Sequence, residues 1–145
     1  MQLEKTISQY ESELRKCRDV FQKKTKDYGT SWRVLRPSSL TDQLFIKAQR
    51  IRTIEENKAQ KVEEGVESEF IGLVNYAIIG LIQLKMNDNT NLDLSEHEAL
   101  THFDAESKAI QELMLAKNHD YGEAWRDMRV SSFTDLILMK LLRIR

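Results

Sequence analysis

The segment Asp27-Tyr28-Gly29-Thr30-Ser31-Trp32-Arg33 returns 93 residues later as Asp120-Tyr121-Gly122-Glu123-Ala124-Trp125-Arg126. The register then holds without a gap. Arg36, Ser38, Ser39, Thr41, Asp42, Lys47, Arg50, Ile51 and Arg52 meet Arg129, Ser131, Ser132, Thr134, Asp135, Lys140, Arg143, Ile144 and Arg145. Apolar positions between them change freely, as Leu44/Ile137 and Phe45/Leu138 show. A core needs only volume and pattern, so it drifts. Polar residues kept in both copies point instead to a shared polar role.

One proline and long stretches of period-3.6 patterning predict an all-α chain. The expected architecture is a helical bundle of two duplicated units with a pseudo-twofold relation, all in one domain, 1–145. Copy one covers about 14–84 and the partial copy two about 107–145. The first helix runs from about Leu3 to Lys26, with Ile7, Tyr10, Leu14, Cys17, Val20 and Phe21 on its apolar face. Gly29 supplies the turn that follows. Ser39-x-x-Asp42 and Ser132-x-x-Asp135 read as capping boxes opening the second and last helices. A third helix spans about Val66 to Met86, and Ser95-x-x-Glu98 opens a fourth. Copy two stops at Arg145 without a counterpart of Thr53 to Leu84. Either the chain continues or another subunit supplies the missing helix.

A net charge of −1 supplies no global attraction to nucleic acid or to an anionic membrane. Cys17 is the only cysteine, which rules out an internal disulfide and the multi-cysteine zinc patterns. His97, His102 and His119 lack ligand spacing. The polar N-terminus is no secretory signal, and the apolar run from Phe70 to Leu84 is too short to span a bilayer. The expected location is cytoplasmic.

Lys47 lies inside the apolar stripe of Leu40, Leu44, Ile51 and Ile54, and Lys140 inside that of Phe133, Ile137, Leu141 and Ile144. An ammonium facing a core must snorkel, pair with an acid or bind an anion. With Arg50 and Arg143 three residues on, Lys47 and Lys140 form either a phosphate-facing cluster or the basic half of ion pairs to the next helix. On the third helix, Glu63, Glu67, Phe70, Val74, Ala77 and Leu81 share a face expected to turn inward, and Glu64-x-x-Glu67 adds a second acid. Gathered carboxylates suit Mg²⁺; acids at a helix start also suit the helix dipole without metal. Tyr28, Trp32, Tyr121 and Trp125 could stack a base or simply pack. Asn75, in an apolar helix, needs a partner: a helix end or a substrate polar group.

Lys24-x-x-Asp27-Tyr28-Gly29-x-x-Trp32, Lys47-x-x-Arg50-Ile51 and the Glu-rich run into Asn75-Tyr76 together resemble the nucleotide modification associated domain 1 family of bacteria and phages. That family is distantly similar to the all-α nucleoside triphosphate pyrophosphohydrolases of the MazG type, often dimeric. The resemblance implies nucleotide binding by a homo-oligomer and, with Mg²⁺, pyrophosphohydrolysis. It places phosphates at Lys47, Arg50, Lys140 and Arg143, the base at Tyr28, Trp32, Tyr121 and Trp125, and metal at Glu63, Glu64 and Glu67. The second acidic pair of the pattern falls at Glu69-x-x-Gly72, and Gly72 cannot coordinate a metal. The alternative is a non-catalytic helical interaction module associated with nucleotide or DNA modification.

Overall fold

Gly29 and Gly122 adopt φ values of 67° and 68°, a region costly for a side chain with a Cβ, and each ends a long helix. A short 3₁₀ turn follows each, Ser31–Val34 and Ala124–Asp127, and then another helix. Both copies of the repeated segment therefore take the same local form. The computed structural model describes residues 2–57 and 63–145, with the backbone alone for 63–65. Its helices are α1 (Gln2–Tyr28), α2 (Pro37–Glu56), α3 (Glu63–Lys85), α4 (Glu96–Tyr121) and α5 (Val130–Ile144). No strand occurs among the described residues, and the fold is all-α.

Ser95 caps α4 as expected: its side chain accepts from Glu98 N, and the Glu98 carboxylate accepts from Ser95 N. Ser39 and Ser132 are not caps. α2 begins two residues earlier, at Pro37, whose fixed φ suits a first helical turn, and its N-cap is Arg36. α5 likewise begins at Val130 behind Arg129.

α3 is the central helix and packs on α1, α2 and α4; α1 also meets α4, and α2 meets α5. Helices holding equivalent positions in the repeat are thus neighbours. Segment Val66–Lys85 is long and apolar enough to cross a bilayer by composition. About 33% of that segment is buried inside the structure. One core gathers Phe21, Leu40, Ile78, Ile82 and Phe103, with the Phe21 and Phe103 rings 4.7 Å apart. A smaller one joins Ala48 and Ile51 of α2, Leu73 of α3, and Leu138 and Leu141 of α5. The inward face of α3 is not the expected one. Val74, Ala77 and Leu81 are exposed, while Leu73, Asn75, Ile78, Ile79, Ile82 and Gln83 are buried. A helix apolar nearly all round does not declare its buried side by spacing.

The first turn is fastened by a buried polar knot. Arg33 donates to Gln83 Oε1 and to the Asn89 and Asn91 carbonyls. Gln83 Nε2 donates back to the carbonyls of Trp32, Arg33 and Leu35 at 3.2, 2.9 and 2.8 Å. Thr30 adds bonds to Leu92 O and Leu94 N. The second turn uses different partners. Arg126 Nε donates to Glu123 at 2.7 Å, and its Nη2 donates to Thr6 and Gln9 of α1. The Glu123 carboxylate also accepts from Thr6 Oγ1 at 2.6 Å.

Two predictions follow from these anchors. Gln83→Ala removes both sides of the buried knot and should cost about 2–4 kcal/mol in urea unfolding, because a guanidinium and three carbonyls each lose one bond together. The hydrogen bond from Thr6, then that from Arg126, holds the Glu123 carboxyl near 2, down from an ordinary 4.5. The folded state binds this proton less readily than the unfolded chain, so the stabilisation is complete above about pH 4.5 and fades towards about pH 2. Wild type should therefore lose more Tm than Glu123→Gln across that window, as thermal melts at stepped pH will show.

Candidate functional site

A cavity of about 860 Å³ opens between α1, the first 3₁₀ turn, α2 and α3. It falls in the range of small-molecule sites, about 300–1,000 Å³. α1 lends one face, with Val20, Phe21, Lys24, Thr25 and Tyr28 at helical spacing. α3 lends another: Glu67 and Ser68, Ile71 and Gly72, Asn75 and Tyr76, then Ile79, each step one turn further. Trp32 enters from the turn, and its ring lies 6.3 Å from Phe21. Lys47 is the contribution of α2. The walls are apolar at Phe21, Leu35, Ile71 and Ile79; the charges are Lys24, Lys47 and Glu67.

Lys47 is held from three sides. Its Nζ lies 3.4 Å from Glu69 Oε2 and 5.7 Å from the centre of the Tyr76 ring. Its alkyl chain crosses the backbone of α3 at Gly72. A Cβ there would meet Lys47 Cδ and Cε at 2.8 Å and Nζ at 3.1 Å. The glycine that breaks the expected acidic pair thus makes the groove in which the lysine lies. Arg50 sits outside the cavity, with Nη1 3.5 Å from Glu69 Oε1, and its side chain is 63% exposed. Glu69 therefore stands between two cations, and ion pairing to the next helix and a place on the cavity wall hold for Lys47 together.

The expected site residues divide sharply. Tyr28, Trp32, Lys47 and Glu67 share the cavity. Tyr28 is 74% exposed and stands at its mouth. Glu67 pairs with Lys16 at 3.6 Å, and its side chain is turned largely to solvent. The side chains of Glu63 and Glu64 lie outside the described residues. No group of three candidate metal ligands comes together among the described residues.

Tyr121, Trp125, Lys140 and Arg143 do not line the cavity. Lys140 and Arg143 are exposed, because α5 buries Thr134, Leu138 and Leu141 against α2 and leaves its other side uncovered among the described residues. Trp125 donates to Asn118 Oδ1, and the Arg126 guanidinium lies 4.5 Å from its ring centre. The same sequence signature therefore makes a cavity wall once and a surface stack once.

Lys24, Gly72 and Tyr76 are wall residues to which the sequence assigned no separate role. The signal available was the face shared by positions 68, 72, 75, 76 and 79 of α3, where small and polar residues interrupt an apolar helix. The Gly72 groove yields a prediction. Atoms in the way of an added methyl belong to the flexible end of a lysine, so the side chain yields and the helix does not. Gly72→Ala should keep its unfolding free energy within about 1 kcal/mol of wild type. A crystal structure of the variant should show Lys47 displaced from Glu69.

No curated protein and no solved structure matches this chain. A family model does, over residues 24–84 and 117–145, the two stretches that carry the repeated segment. These stretches make up more than half of the sequence, and the chain belongs to the nucleotide modification associated domain 1 family.

Proposed function

We propose that this protein binds a nucleotide in the cavity of copy one, with the phosphates at Lys47 and Lys24 and the base beside Trp32 and Tyr28. The observation that carries the reading is the convergence of an ammonium from α2, an indole from the turn and a phenol from α1 on one cavity of about 860 Å³. Such a site offers apolar and aromatic surface to a flat ring and positive charge to an anion. Glu69 divides its one charge between Lys47 and Arg50, and a multiply charged phosphate is the stronger competitor for the Lys47 ammonium.

Pyrophosphohydrolysis of the MazG type would be a further step, with Mg²⁺ supplying charge neutralisation and an activated water. Glu67 is the one carboxylate among the described cavity residues, and the side chains of Glu63 and Glu64 lie outside them, so the ion has a single placed ligand. The reading adopted is therefore binding. A helical interaction module without a ligand is the competing reading, and it predicts no nucleotide affinity.

Titration calorimetry with the four deoxynucleoside triphosphates, with and without Mg²⁺, separates the two. Lys47→Ala should weaken binding by about tenfold or more, the worth of one charge-assisted contact, with helicity unchanged by circular dichroism. Lys140→Ala, far from the cavity wall, should bind as wild type does. Equal affinity of Lys47→Ala and wild type would remove Lys47 from the site, and no measurable binding at all would favour the module.

A further inference from the structure

The two turns follow nearly the same backbone path. Thr30 and Glu123 enter the 3₁₀ turns at φ/ψ of −109°/47° and −102°/22°. Leu35 and Met128 leave them at −74°/130° and −80°/149°. Arg36 and Arg129 then lead into α2 and α5 at −78°/160° and −72°/145°. With Gly29 and Gly122 matched as well, α5 leaves α4 by nearly the route that α2 takes from α1. One face of α4 and α5 therefore corresponds, position for position, to the face of α1 and α2 that α3 covers.

The corresponding face stands open among the described residues. Ile51 is fully buried in one cluster with Leu73 of α3, whereas Ile144, in the same place on α5, is 66% exposed. Trp32 and Leu35 pack against the core that α3 enters, whereas Trp125 and Met128 are exposed. Copy one also shows what charge such a face calls for. Glu69 of α3 lies 3.4 Å from Lys47 and 3.5 Å from Arg50. Their counterparts Lys140 and Arg143 are exposed, and neither has an ion pair among the described residues. An exposed apolar strip edged by polar groups marks an interaction surface. Two cations without a counter-charge make this one complementary to an apolar helix that carries a carboxylate.

The geometry points to a docking site on the open face of α4 and α5 for an apolar, carboxylate-bearing helix of a partner protein. Ile144, Trp125 and Met128 meet the apolar side of that helix, and Lys140 and Arg143 meet its acid. The α3 of a second copy cannot fill this place, because its Glu69 and Gly72 already hold its own Lys47. A docked helix stands to Trp125 and Lys140 as α3 stands to Trp32 and Lys47. The assignment is independent of the nucleotide reading, since it uses no residue of the cavity.

The probe is a dye-labelled synthetic peptide with the sequence of α3, Glu63–Lys85, titrated into the intact chain by fluorescence anisotropy. It should bind one to one, and Ile144→Asp should weaken binding about tenfold or more, because a charge then faces the apolar strip. Lys140→Ala in the chain and Glu69→Gln in the peptide should each cost about fivefold, the worth of one partly exposed ion pair. Together they should cost less than the product of the two, because they remove one shared contact. Ile46→Asp, at an exposed apolar residue of α2 outside this face, should bind as wild type does. Circular dichroism checks that each variant keeps its helicity. If the peptide does not bind, or binds Ile144→Asp as it binds wild type, the docking site falls. Sedimentation of the chain alone gives the other overturning result: a dimer that Ile144→Asp dissociates assigns the face to a second copy instead of a partner's helix.

Discussion

The exchange between Arg33 and Gln83 is the interaction on which the rest of the site depends. Gln83 sits two turns beyond Tyr76 on the central helix, and its amide takes both roles at once, accepting from the guanidinium and donating to the turn carbonyls. Arg33 meanwhile reaches on to Asn89 and Asn91, beyond the end of α3. The turn after α1 is thereby locked to a stretch some fifty residues further on, the end of α3 and the loop that runs from it to α4. A 3₁₀ turn has poor internal bonding and no core of its own. Without the knot, nothing polar would fix the height at which Trp32 meets Phe21, or the position of Leu35 on the cavity wall.

The repeated arginine explains why one sequence signature has two structural outcomes. In each copy it anchors the Tyr-Gly-x-x-Trp turn to a helix from elsewhere. Arg33 finds α3, and the turn becomes one wall of a cavity that α3 closes on the other side. Arg126 finds the N-terminal part of α1 through Thr6 and Gln9, and Glu123 adds a bond from Thr6 to the turn. Its indole is capped by Arg126 and bonded to Asn118. The retained polar residues therefore carry two separable jobs: fixing the turn, which both copies perform, and lining a cavity, which requires the third helix as well.

That division sets what could be read from the sequence alone. Five helices and their approximate limits were legible from periodicity, and the α4 cap was legible from Ser95 and Glu98. Lys47 was legible too, because a cation inside an apolar stripe demands an explanation, and it is indeed half-buried with a carboxylate beside it. The face of α3 was not. Its apolar residues run almost all the way round, so Glu67 and Val74 looked inward by spacing while both lie at the surface. Only the polar interruptions mark the true inner side: Asn75 bonded to Cys17, and Gln83 in the knot. In a helix this apolar, a buried amide says more about orientation than any stripe of hydrocarbon. The start of α2 also eluded the pattern, because Pro37 opens a helix without the side-chain bond that a serine cap would provide, and α5 opens behind Arg129 with no side-chain cap either.

Gly72 ties the energetic argument to the chemical one. A half-buried ammonium is tolerable only with its alkyl chain packed and its charge answered. The missing Cβ lets the chain of Lys47 lie directly on α3, Tyr76 offers a ring beside the ammonium, and Glu69 answers the charge. An acid at position 72 would put a second carboxylate where the lysine now runs. It would thus replace a cation-lined wall with an anionic one. The choice at this single position is between a wall suited to holding metal and a wall suited to meeting a phosphate directly. In this chain the glycine leaves that wall to the lysine, and the proposed binding therefore places the anion on Lys47 instead of routing it through an ion held by glutamates.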